Sequence, residues 1–303
     1  MKLTKREAGI LEFLLEKKGN FKSISSALAI KKSNLSLYAR NLERAGLVTI
    51  ARKGREKVIA LENSVSAGFF RSKAALSMIK LNEVLAGQIP YFLSFILTKE
   101  RITIAEMDMP SASAKRMLKK LRTIGIIFMP SNGQYKLRQE AEPLAGFCRQ
   151  ILTQIYTAEA EKELQGIEKA VFSFDSPREL EAVFVTDQEN KPKHYWPTAY
   201  AIFSRHGLEL VSAGKFYYAN MKPKLKDAIM HALSLSRDAR TIAYASALVL
   251  INKIDPALLL KKKQRFGLPE GFVEALVEFI KSKGRKTQEG FPSWDEVEMI
   301  LHG

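Results

Sequence analysis

One pattern occurs twice in this chain and leaves few folds open. A helix-forming run closes as Asn41-Leu-Glu-Arg-Ala-Gly-Leu-Val48, and a second closes as Lys119-Lys-Leu-Arg-Thr-Ile-Gly-Ile-Ile127. Glycine suits the stop in each because it tolerates the left-handed backbone at which helices end. Each glycine is followed by two short β-rich runs about a turn. In the first copy these are Leu47–Ala51 and Lys57–Leu61 around the basic Arg52-Lys-Gly-Arg-Glu56. In the second they are Ile126–Met129 and Gln134–Arg138 around Ser131-Asn-Gly133, Asn-Gly being a favoured tight-turn pair. The repetition reads as an internal duplication of fold.

The residues upstream of each hairpin extend the parallel. Thr4 is a good N-cap, Glu7 completes a capping box, and Ile10, Leu11, Leu14 and Leu15 form an apolar stripe, predicting a helix to about Lys18 that Gly19 stops. Phe21–Leu28 reads as a short second helix with Ile24, Ala27 and Leu28 inward. A third begins at Ser33, buries Leu35, Leu42 and Ala45, and takes Gly46 as its C-cap. In the second copy Ile89–Leu97 is an apolar helix, Ile102–Met107 is a short element, and Ser111–Thr123 carries Met117, Leu118 and Leu121 on one face.

Charge indicates what such modules meet. The chain of 303 residues carries 48 Lys and Arg against 32 Asp and Glu, a net of +16, which favours a polyanionic partner. Residues 1–166 hold 28 of the cations and 15 of the anions, so a net of +13 falls on the half that contains the repeats.

On this order, spacing and helix-to-hairpin junction, residues 3–62 resemble the winged helix-turn-helix domains of prokaryotic regulators, such as the MarR-like and ArsR-like groups. The resemblance implies a recognition helix over Ser33–Arg44 in the major groove of double-stranded DNA, and a wing on phosphates or the adjacent minor groove. The residue chemistry agrees. Ser33, Asn34 and Ser36 can reach base edges or phosphate, with Tyr38 and Arg40 farther along the helix. Lys31, Lys32, Arg52, Lys53 and Arg55 can supply phosphate contacts, as can Lys115, Arg116, Lys119 and Lys120 in the second copy. Arg44 divides evenly between DNA and an ion pair with Glu43 or Glu12.

The remainder is less specific. Residues 63–81, with Arg71, Lys73 and Lys80, read as a linker helix between the first module (1–62) and the second (82–140). Residues 141–166 form a long helix whose Leu144, Phe147, Ile151, Leu152 and Ile155 suit either a homodimer contact or packing on its own chain. Residues 167–303 read as a mixed, mainly helical α+β domain. Strands are expected at Ala170–Phe174, Leu180–Val185, Leu208–Val211 and Lys215–Tyr218, and helices at 198–205, 222–235, 238–252, 255–265 and 270–283. The run Lys226-Asp-Ala-Ile-Met-His-Ala-Leu233 is similar to the C-terminal region of AbiEi-type antitoxins. It departs from that family at Lys226 and Asp227, where an acidic–arginine pair is usual, and at His231, where the family has Asp.

The fold class is thus α+β, with two tandem winged helix-turn-helix domains before the C-terminal domain. The expected function is a transcriptional regulator binding double-stranded DNA, with a small effector or a protein partner at the C-terminal domain. A protein-docking scaffold and an antitoxin-like autoregulator are the alternatives. His194, His206, His231 and His302 lack metal-ligand spacing, Ser204 and His206 have no nucleophile elbow, and no phosphate-binding loop is present, so neither catalysis nor a cofactor is expected. No run spans a bilayer and no signal-peptide core follows Met1, giving a cytoplasmic chain without a membrane partner. The runs Lys261–Arg265 and Lys281–Lys286 read as solvated helix faces, and Tyr195, Trp196, Phe216, Tyr217 and Tyr218 as core rather than an effector pocket. Cys148 reads as a buried hydrophobe.

Overall fold

The structure, a computed structural model, describes residues 2–16, 19–54, 56–65, 80–107, 109–210, 214–262 and 265–302. It is α+β with small antiparallel sheets and divides into two compact units, Met1–Ala160 with Phe174–Leu180, and Glu161–Ser173 with Glu181–Gly303.

The N-terminal unit opens with α1 (Lys5–Glu16). Its start is the expected capping box: the Thr4 hydroxyl accepts from the Glu7 N–H at 3.2 Å, and the Glu7 carboxylate accepts from the Thr4 N–H at 2.8 Å. Glu7 is buried, and its other oxygen accepts from the Asn41 side chain at 3.0 Å, which anchors α1 to the third helix. Gly19–Asn20 forms a two-residue strand, β1, paired with Ile59 and Val58. Asn20 then caps α2 (Phe21–Leu28), accepting from the Ser23 N–H at 2.8 Å.

The third helix, α3 (Lys32–Arg44), buries Leu35, Ala39 and Leu42. Its C-cap is Ala45, one residue before the predicted Gly46, which follows with φ +66°. A Cβ at Gly46 would come within 2.9 Å of the Gln154 side-chain nitrogen. Strands β2 (Val48–Lys53) and β3 (Glu56–Leu61) complete a sheet of order β1-β3-β2.

The same order returns after α4 (Leu81–Val84): α5 (Ile89–Ile96), β4 (Ile102–Thr103), a 3-10 turn (Ile104–Glu106), α6 (Ser111–Thr123), β5 (Ile127–Ser131) and β6 (Gln134–Leu137), in a sheet of order β4-β6-β5. The counterpart of α2 is a single 3-10 turn, and Pro110 follows four residues after it, disfavouring helical backbone at Met109. That turn keeps a capping box, Thr103 with Glu106.

In helix α7 (Glu142–Ala160), Leu144, Phe147, Ile151, Leu152 and Ile155 are all buried within their own chain. A single core runs from Leu3 in the first module to Ile155 in this helix. The linker expectation falls largely outside the described residues, Arg71 and Lys73 with it. Asn63–Val65 is helical, and the Leu81 N–H donates to the Glu12 carboxylate at 3.0 Å.

The C-terminal unit holds β7 (Ile167–Ser173), β8 (Glu181–Thr186), β9 (Trp196–Pro197) and β10 (Phe216–Ala219) in an antiparallel sheet of order β7-β8-β10-β9. A 3-10 helix (Ala199–His206) and α8 (Leu225–Leu235), α9 (Ala239–Ile251), α10 (Ala257–Leu260), α11 (Phe272–Lys281) and α12 (Trp294–His302) accompany it. Two expectations are corrected and one element is added. Leu208–Leu210 is not a strand, and Val211 lies outside the described residues. The helix predicted at 255–265 is one turn, ending before Lys261. Helix α12 was not anticipated, although Ser293 and Glu296 form a clear capping box at its start.

Candidate nucleic-acid interface

The core requirement of α3 decides what it offers outward. With Leu35, Ala39 and Leu42 inward, the opposite face exposes Lys32, Ser33, Asn34, Leu37, Arg40 and Arg44. Ser33, Leu37, Arg40 and Arg44 lie three or four residues apart and so form one stripe. Two predicted contacts sit off it. Tyr38 is half-buried and packed against the core, and half-buried Ser36 accepts from the Arg40 guanidinium at 3.3 Å. That bond gives Arg40 a local tether while it stays exposed.

Leu37 is the residue that sequence reading missed. It is 58% exposed, a large apolar side chain in the middle of a polar and cationic face. The signal was present, since two residues correspond to a rotation of about 200° and place Leu37 opposite buried Leu35. The sequence reading named neither a buried nor an exposed role for it.

The β2-β3 hairpin brings further cations to this module. Arg52 and Lys53 are exposed, while Arg55 lies outside the described residues. The register sets Arg52 directly opposite Lys57, which is also exposed and which the sequence reading did not single out. Like charges facing each other across a ladder repel, a cost that a bound polyanion would relieve. Lys57 is steadied by the Phe21 ring, whose centroid lies 5.9 Å from its ammonium. Lys31 is exposed at the start of α3, which has no side-chain cap, so first-turn N–H groups and the helix dipole favour an anion there.

The second module repeats the arrangement with different emphasis. Lys115, Arg116, Lys119 and Arg122 are exposed on α6, which also starts without a side-chain cap. Lys120 turns back, donating to the Glu83 carbonyl at 3.3 Å and lying 3.8 Å from its carboxylate. The hairpin turn carries no cation; Met129, on β5, is 40% exposed, and Arg138 lies over the Phe128 ring at 5.9 Å.

Other candidate residues have structural duties. His231 is fully buried between the Thr198 hydroxyl, 2.6 Å from Nδ1, and the Glu181 carboxylate, 3.0 Å from Nε2. Thr198 is equally buried, while the Glu181 side chain is 12% exposed. Tyr195 meets the Phe184 ring edge-on at 5.7 Å, and the Tyr218 hydroxyl donates to the Asn190 carbonyl at 2.9 Å. Lys262 pairs with Asp227, and Lys286 with Glu278 at 2.8 Å. Among the described residues, no three His, Cys, Asp or Glu side chains converge to hold a metal, and no helix is long and apolar enough to cross a membrane.

Comparison with protein-family models, with curated proteins and with solved structures gave no match.

Proposed function

We propose that the two modules are winged helix-turn-helix domains and that the chain is a regulator of transcription binding double-stranded DNA. The observation that carries the reading is the twofold helix–strand–turn–helix–hairpin order with sheets β1-β3-β2 and β4-β6-β5, each presenting an outward cationic helix. On this reading α3 enters the major groove. Ser33, Asn34 and Arg40 offer donors and acceptors to base edges, and Leu37 offers an apolar surface suited to the thymine methyl group. Lys31, Lys32, Arg52, Lys53 and Lys57 neutralise phosphates, and five such contacts give a slope of about −4 to −5 in log affinity against log salt.

The test is fluorescence anisotropy on the duplex upstream of the protein's own gene and on a shuffled duplex of equal length, over a salt series. Tighter, less salt-sensitive binding to the native duplex supports a sequence-directed regulator. Equal binding to both removes sequence direction, and no binding removes DNA as the partner. A protein-docking role has one observation in its favour, the exposed Leu37 on the outward face of α3. Loss of DNA binding in all duplexes would turn the reading that way.

A further inference from the structure

A cavity of about 390 Å³ lies within the C-terminal unit, bounded by β7, β8, β10, the 3-10 helix and the first turns of α9. This is the size of a pocket for a small molecule. Three tyrosines from three different elements give it aromatic walls: Tyr200, Tyr217 and Tyr244. Tyr200 and Tyr217 stand edge to face with centroids 5.1 Å apart, and the Tyr200 hydroxyl is fixed by Thr241 at 2.6 Å. Three cations reach the same space. Lys169 is oriented by the Leu235 carbonyl at 2.7 Å, Lys215 by Glu168 at 2.5 Å, and Arg240 by the Tyr244 hydroxyl at 2.6 Å, its guanidinium 5.3 Å from that ring.

Asp238 is the carboxylate of the lining, and it is already engaged. One oxygen accepts from the Thr241 N–H at 2.7 Å as the cap of α9, and the other from the Ser236 hydroxyl at 2.7 Å. Asp238 and the Glu168 carboxylate that pairs with Lys215, set against Lys169, Lys215 and Arg240, leave a surplus of one positive charge, held in place by hydrogen bonds beside rings that can stack on a planar body.

We infer that this cavity binds a small planar aromatic anion. The rings distinguish such a ligand from an inorganic anion, and the cations distinguish it from a neutral aromatic molecule. The inference does not rest on DNA binding, and its test contains no DNA.

The experiment is isothermal titration calorimetry of the full chain with naphthalene-1-sulfonate, set beside naphthalene-1-methanol and inorganic sulfate. The expected result is saturable one-to-one binding of the sulfonate, at least about tenfold tighter than either comparator, since a charge-assisted hydrogen bond contributes that much. Arg240→Gln and Lys215→Met should each weaken it by about tenfold, with circular dichroism unchanged. Absence of saturable binding overturns the proposal, as does equal binding of the alcohol or of sulfate, or wild-type affinity in both variants. Should a variant lose its fold, the three-probe comparison on the wild-type chain decides alone.

Discussion

Replacing Leu37 by alanine should weaken specific DNA binding while leaving the fold intact, a combination that few substitutions of leucine produce. Leu37 exposes 58% of its surface, so the free protein stores little burial in it. Complete burial of a leucine side chain is worth about 1.5–3 kcal/mol, and covering the exposed three-fifths against a base edge is worth about 1–2 kcal/mol. Contact with a single methyl group covers only part of that, leaving about 1 kcal/mol, or roughly fivefold in Kd. Stability should change by no more than about 0.2 kcal/mol, because alanine is at least as good a helix former. The decisive assay is a cycle that removes the two partners separately and together. Anisotropy would be measured for wild type and Leu37→Ala on a selected duplex, with each thymine replaced in turn by uracil, which lacks only the 5-methyl group. One position should lose its sensitivity to the methyl group in the variant, with a coupling of about 0.5–1 kcal/mol. Additivity to within about 0.3 kcal/mol at every thymine, or unchanged affinity of Leu37→Ala, would refute the reasoning.

Other perturbations probe separate parts of the molecule. Lys53→Ala should weaken binding to all duplexes alike and flatten the salt slope by about one; a sequence-dependent loss would move Lys53 to the base-reading set. His231→Leu takes the ring from between Thr198 and Glu181 and should cost about 2–4 kcal/mol in urea unfolding, whereas a loss below about 0.5 kcal/mol would show the trio to be dispensable. The Glu163 carboxylate is held below its ordinary 4.5, chiefly by its hydrogen bond to His194. A depressed folded pKa means that its stabilisation is present above pH 4.5 and lost as pH falls through the folded value. Stability profiles of wild type and Glu163→Gln should therefore differ above that pH and converge below it, and parallel profiles would contradict the assignment. Cys148 is wholly buried and burial pushes its thiol up, so a thiol reagent should label it only in denaturant. Rapid labelling of the native chain would show the core to be open there.

What could be read from the sequence follows from how local each signal is. The Thr4–Glu7 box and the hairpins depend on neighbours a few residues apart and appear where expected, while Gly46 follows the cap of its helix by one residue. Strands β1 and β4 could not be read, since two residues have no period and exist only because β3 and β6 offer an edge. The turn at Ala257–Leu260 shows the converse, a helical composition that the chain cuts short. At the interface, residue type identified Arg40, Arg52 and Lys53 as exposed, but face geometry was needed to find Leu37 and to set Tyr38 aside. Tyr217, read as core, lines the pocket instead, and Tyr200 and Tyr244, which the sequence did not single out, join it only through the third dimension.

The continuous core from Leu3 to Ile155 has a further meaning under the proposed function. Regulators that read two half-sites commonly assemble two copies of one chain, so that occupancy rises with the square of concentration at low dose and the operator must be a palindrome. On the proposed function, two unlike helices sharing one hydrophobic body would let a single chain engage two unlike half-sites, so that an asymmetric message would suffice without a second copy.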